Sequence, residues 1–195
     1  MRNRICAAHV RGEASSRIAA QAGVDSIEHA TYASDETLRM IADKGLFIVP
    51  GLRYLYSIIE NGQPFGITEA IYGPAGLREE IAQAAETYRR ARELGIRMCP
   101  GGDFGFAWNP HGEYAKDIEV FVRILGFSPL EAIGCATRNG AELMHMQDRI
   151  GTLEPGKLAD LVVVNGDPLA DIAILQDRSH LSVMKGGAWF TRNLA

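Results

Sequence analysis

No stretch of this chain approaches the roughly 20 consecutive apolar residues that a membrane helix needs. A membrane partner is therefore not expected. Cysteine is scarce, with only Cys6, Cys99 and Cys135. The number is odd and none are spaced as CxxC, which argues against a disulfide framework or a cysteine zinc site. The three read as buried, small apolar residues in a reducing compartment. One-sided charge is lacking too. The net charge is −4, with no long basic run, so nucleic acid is not an expected partner. The opening "MRNRICAAHV" turns polar too soon for a secretory signal, and the expected location is the cytoplasm.

What is present suits a globular protein. The 195 residues are 47% hydrophobic and 23% charged, enough to bury a sizeable core and too apolar for disorder. One unit recurs: a helical stretch, a glycine, then a short apolar run. "EASSRIAAQAG" leads into "VDSIEHA", "SDETLRMIADKG" into "LFIVPGL", and "GLREEIAQAAETYRRARELG" into "IRMCPGGD". The glycines (Gly23, Gly45, Gly95) sit where a left-handed helix stop is expected. With the leading "RICAAHV", four strands are expected at about 4–10, 24–30, 46–52 and 96–103. Single helices between them imply right-handed crossovers and a parallel sheet. Two further helices are expected. One spans about 112–125. The other starts at Ser128, Pro129 and Glu131, a capping box with proline at the first helical position. Residues 53–75, rich in Tyr, Gly and Pro, read as a long loop of the kind that forms lids.

After residue 148 the pattern changes. "RIGTLEPGKLADLVVVNGDP" and "LSVMKGGAWF" look like antiparallel strands joined by glycine turns. Two regions are expected: 1–148, built of βα units, and a small β portion, 149–195.

Three apolar runs end on side chains that can hold a metal or move a proton: His9, His29 and Asp103. Parallel βα units put all strand C-termini on one face, so the three should converge. Two imidazoles and a carboxylate suit Zn²⁺, Fe²⁺ or Mn²⁺. A bound ion of this kind lowers the pKa of its water to about 7, and a carboxylate beside that water can carry its proton to a leaving group. A strand-end histidine can equally be structural. Among secondary candidates, Glu28 should point away from His29, toward the helix layer. His111 lies in the loop after Asp103 and could touch substrate. Arg53 and Tyr54 follow the third strand, and an arginine there could bind a substrate carboxylate. Trp108 is either a pocket wall or a loop anchor. His145 and His180 lie away from the strand tips.

At these residues the sequence resembles the amidohydrolase superfamily, in its imidazolonepropionase-like branch that includes Xaa-Pro dipeptidase-type enzymes. The segments that carry the likeness are "AAHVRGEASSRIAAQAGVDSIEHATYASDE", "GIRMCPGGDFG", "HGEYAKDIEVFVRILGFSPLEAIGCATRNGAELM" and "RIGTLEPGKLADLVVVNGDPLADI". The resemblance implies an α/β fold: the C-terminal half of a (β/α)8 TIM barrel, strands five to eight, with part of a small β-sandwich. It implies His9 and His29 as metal ligands from strands five and six, and Asp103 as ligand and proton shuttle from strand eight. Zinc is the favoured metal, with iron or manganese as alternatives. The implied activity is hydrolysis of an amide, cyclic amide or dipeptide C–N bond by metal-activated water.

The chain departs from the family in two places. Many relatives read Gly-Thr-Asp where Gly102 precedes Asp103. The His-x-His of the family's first strand is absent altogether. Three arrangements follow: a homo-oligomer that closes the ring, pairing with a complementary N-terminal half-barrel, or an inactive gene fragment. A non-catalytic assembly partner, or a metal-free lyase or isomerase using the histidines as acid and base, are the rival readings.

Overall fold

A computed structural model describes residues 4–67 and 76–193. Three short strands, β1 (Ala7–Val10), β2 (Ser26–His29) and β3 (Phe47–Val49), form a parallel sheet in that order. Helix α1 (Glu13–Ala22) joins β1 to β2, and α2 (Asp35–Asp43) joins β2 to β3. The expected glycine stops are in place: Gly23, Gly45 and Gly95 all have positive φ, which a Cβ would penalise.

The fourth expected strand is reduced to one bridge between Ile48 and Met98. Cys99 N–H donates to the Ile48 carbonyl and Ile48 N–H to the Arg97 carbonyl, both at 3.1 Å. The ladder stops there because Pro100 has no N–H and Gly101 donates its own to Asp117 at 2.5 Å.

Residues 53–75 depart from the loop expectation. Leu52–Asn61 form a helix, α3, followed by a 3₁₀ turn at Gln63–Phe65. Leu52, Leu55 and Ile58, three residues apart, are buried, an amphipathic stripe that the glycines and proline downstream obscured. The remainder of the expected loop, 68–75, lies outside the described residues. Helix α4 (Gly76–Glu93) and helix α5 (Ala115–Arg123) follow. Then come α6 (Pro129–Gly134), a π-helical turn at Cys135–Asn139, and α7 (Gly140–Leu143). The capping box at Ser128 and Glu131 is formed, with Pro129 in the first turn.

Successive strand residues point to opposite faces of the sheet. Ile27, Ile48 and Met98 join the main core with Leu38, Ile41, Leu77, Tyr88 and Phe121 from the helices, while Phe47, Val49 and Cys99 form a second cluster on the other face. The sheet is thus apolar on both sides, as parallel sheets are. Cys99 and Cys135 are buried as expected. Cys6 is exposed, because it precedes the edge strand β1. All three are free thiols.

At the C-terminal end, β4 (Leu161–Val164), β5 (Leu181–Lys185) and β6 (Ala188–Thr191) form an antiparallel sheet. Gly186 and Gly187, both at positive φ, make the tight turn between β5 and β6. The segment Ile172–Gln176 ties this part to α5, with Gln176 Nε2 donating to Glu119 Oε2 at 2.6 Å. No helix among the described residues is long and apolar enough to cross a membrane.

Candidate active site

β1 and β2 lie side by side in register, with His9 opposite Glu28 and Val10 opposite His29. By strand alternation, His29 should face the helices, with Val10. It does not behave as a regular strand residue. His29 and Ala30 both have left-handed backbone, at φ 76° and 56°, a conformation that costs a non-glycine residue roughly 1–2 kcal/mol. The ring of His29 meets that of His9. His29 Nε2 lies 3.2 Å from His9 Nδ1, with the rings edge to face.

His29 is held from behind. Its Nδ1 lies 3.3 Å from the Pro50 carbonyl. The buried Tyr88 phenol donates to the same oxygen at 2.8 Å. Gly51 has φ 65°, and a Cβ there would come within 2.5 Å of His29 Nδ1, so the ring occupies space that only glycine leaves free. Burial lowers the pKa of His29 to about 4, with the nearby charges of Arg11 and His9 adding to the effect. The ring is therefore neutral at pH 7. With Nδ1–H donating to Pro50, the Nε2 lone pair is left facing His9.

Two nitrogens bound to one tetrahedral ion at about 2.0–2.1 Å lie about 3.3 Å apart. The His9–His29 spacing fits that figure. Donation from the second ring nitrogen to a backbone carbonyl is also the usual support for a ligating histidine. The pair therefore fits two positions of a metal site.

Asp103 sits on a different support. Its backbone is left-handed, at φ 54°. Asn109, fully buried, donates Nδ2 to the carbonyls of Gly102 and Asp103 at 2.7 and 3.0 Å. Asp117, also buried, accepts the Gly101 N–H. The carboxylate of Asp103 is exposed, and its charge reaches both His29 and Glu28. Yet the described residues contain no group of three His, Cys, Asp or Glu side chains close enough to hold one ion. The structure brings His9 and His29 together and leaves Asp103 outside their contact.

Glu28 is a correction. Its ladder partners are His9 and Val49, and partners in a ladder share a face. Glu28 therefore lies on the face of His9, not toward the helices. Its pKa is raised, mainly by burial, and it feels the charge of His9. Counting outward from His29 misplaced it, because His29 itself breaks the alternation.

Arg53 is almost fully buried, and both ends of its guanidinium are taken by Glu60 at 2.9 and 2.7 Å. Its fork is committed within the chain. Tyr54 packs on Phe106, which stacks on Trp108. Trp108 is thus part of an aromatic row as well as a loop anchor, its carbonyl held by Asn61 at 3.1 Å. His111 Nδ1 is 3.1 Å from the Tyr114 hydroxyl, and its ring lies against Gly105, where a Cβ would sit 3.2 Å from Nε2. His145 and His180 are elsewhere: His145 faces Asp25 near the start of β2, and His180 contacts the Asn165 carbonyl. Tyr88, Asn109 and Asp117 had no signal in the sequence beyond being polar residues in helical or loop stretches.

A sequence profile of the amidohydrolase family matches residues 1–190. The chain belongs to the amidohydrolase family. It is 31% identical over 190 residues to the ochratoxinase of Aspergillus niger, covering 96% of this chain and 38% of that protein. It is 31% identical over 148 residues to the imidazolonepropionase of Symbiobacterium thermophilum, covering 76% of this chain and 30% of that one. Among solved structures, a Xaa-Pro dipeptidase with methionine in its active site superposes with a TM-score of 0.82 at 31% identity, covering 95% of this chain and 44% of that one. The likeness to an imidazolonepropionase and a Xaa-Pro dipeptidase bears out the branch that the motifs indicated, and the fold is the family's α/β type. The chain spans less than half the length of these relatives.

Proposed function

We propose that this chain is the C-terminal half of a metal-dependent amidohydrolase that cleaves a C–N bond in a small amide, cyclic amide or dipeptide. In this reading residues 1–148 supply strands five to eight of a (β/α)8 barrel, and 149–195 part of a β-sandwich. The observation that carries it is the His9–His29 pair, at ligand spacing, with His29 Nδ1 backed by the Pro50 carbonyl. Support comes from membership of the amidohydrolase family and from the likeness to a Xaa-Pro dipeptidase.

His9 Nδ1 and His29 Nε2 would hold a divalent ion, zinc by preference and iron or manganese as alternatives. Such an ion supplies Lewis acidity to the substrate carbonyl and to water. Asp103 presents an exposed carboxylate on a turn that Asn109 and Asp117 keep rigid. It takes the proton of the attacking water and delivers it to the departing nitrogen. In this reading it is also the third ligand beside the two histidines. Glu28, partly buried, lies on the same face as His9. Tyr54 and His111 would contact substrate from the surrounding loops. Arg53, already paired with Glu60, stiffens the ground behind Gly102, where its Cβ stands 3.1 Å from the position of an added methyl.

The test is elemental metal content per chain in untagged protein, beside His29→Ala. About one Zn, Fe or Mn per chain is expected, and its loss in the variant. A folded wild type that takes up no metal from a buffer containing zinc would overturn the reading for this chain. Metal-loaded protein is then screened against dipeptides and N-acyl amino acids.

A further inference from the structure

The Pro50 carbonyl stands between β3 and α3 and accepts two side-chain hydrogen bonds, from His29 and from Tyr88. A carbonyl oxygen has two lone pairs, and these two donors use both. Tyr88 is fully buried on α4, 38 residues along the chain from Pro50. The Thr31 side chain also acts on its phenol, and Thr31 lies two residues past His29. Burial raises the phenol's pKa, which keeps its proton available for donation. Tyr88, Pro50 and His29 thus form one connected buried chain of polar groups, ending on the imidazole that faces His9.

A buried imidazole without a fixed partner distributes its proton between two nitrogens. Only one of those tautomers leaves Nε2 bare toward His9. The carbonyl selects it, provided the carbonyl itself cannot turn away. We propose that Tyr88 is a positioning residue: its phenol anchors the Pro50 carbonyl, which in turn holds His29 in the Nδ1–H tautomer and presents Nε2 to the site. The proposal deepens the metal-site reading above and rests on it for its consequence, but the tautomer can be measured without any metal.

The experiment is nitrogen-15 NMR on protein labelled in its histidine rings, comparing wild type with Tyr88→Phe, followed by zinc titration of each. Wild type should show His29 protonated at Nδ1 alone. Tyr88→Phe keeps the ring and its packing but removes the donor. It should show a mixture containing the Nε2–H form and bind zinc about tenfold more weakly, the lower end of the loss usual for outer-shell partners. Ser57→Ala, which removes another fully buried hydroxyl, one donating to the Tyr54 carbonyl, is the control for general loss of stability and should leave the tautomer unchanged. Thr31→Val, which removes the hydroxyl acting on the phenol, should shift the tautomer in the same direction by less, and serves if Tyr88→Phe fails to fold. A wild type protonated at Nε2 would overturn the proposal. So would folded Tyr88→Phe and Thr31→Val proteins with the wild-type tautomer. If the tautomer shifts as expected but wild type binds no zinc, the positioning role stands and the metal reading falls.

Discussion

All three residues of β3 are under a tenth exposed, while every residue of β6 is exposed, Phe190 at 82%. Both strands are rich in apolar residues. The parallel sheet gains its stability from helices packed on Ile27, Ile48 and Met98. The antiparallel sheet leaves Val162, Trp189 and Phe190 open to solvent among the described residues. The difference follows from connection geometry. Each parallel crossover carries a helix that must pack back on the sheet, whereas hairpins bring no cover with them. The same crossovers put the ends of β1 and β2 together, which is why the candidate site lies on the first sheet.

Substitutions should separate the two regions by size. Ile48→Ala, at the fully buried centre of the parallel sheet, should cost about 2–5 kcal/mol in chemical denaturation. A loss below about 1 kcal/mol would mean that the first sheet is not the stabilising one.

Asp117 tests the support of the Asp103 turn. One oxygen accepts from Gly101 and the other has no hydrogen-bond partner among the described residues. Burial pushes its pKa up to about 7, against the smaller favourable effects of the Gly101 N–H and the Arg53 charge. An ordinary aspartate titrates near 3.9 in the unfolded chain. The folded value is the higher one, so this contribution to stability is whole below about pH 4 and is lost as pH rises through about 7. The slope should reach about 1.4 kcal/mol per pH unit within that window. Asp117→Asn should remove this slope, as read from denaturation midpoints across pH. An unchanged slope would show that Asp117 is ionised in the folded protein throughout.

Phe190→Ser should be the mildest, within about 0.5 kcal/mol. A large loss from it would mean that the face of β6 is covered in solution, and the contrast between the two sheets would disappear.

Much of the framework was legible in the sequence. Glycine stops at Gly23, Gly45 and Gly95 and the capping box at Ser128 obey local rules, and local rules survive folding. Helix α3 was missed because its apolar stripe runs straight into a Gly-Pro segment. The run ending at Asp103 was expected as a strand. It lost that form because Pro100 cannot donate and Asp117 claims the next N–H.

The sequence by itself determined the family, the order of the βα units, and the candidacy of His9, His29 and Asp103. These depend on residue type, spacing and short-range periodicity, all of which are written along the chain. Tertiary structure alone decided which face Glu28 occupies, that Arg53 is bound to Glu60, and that His29 turns out of its strand toward His9. It also decided that Pro50, 21 residues from His29, supplies the carbonyl for its ring, and that Tyr88 anchors that carbonyl. Such contacts have no period and no fixed spacing. They arise where packing of the core buries polar groups and leaves each to find a partner from whichever element has been brought alongside.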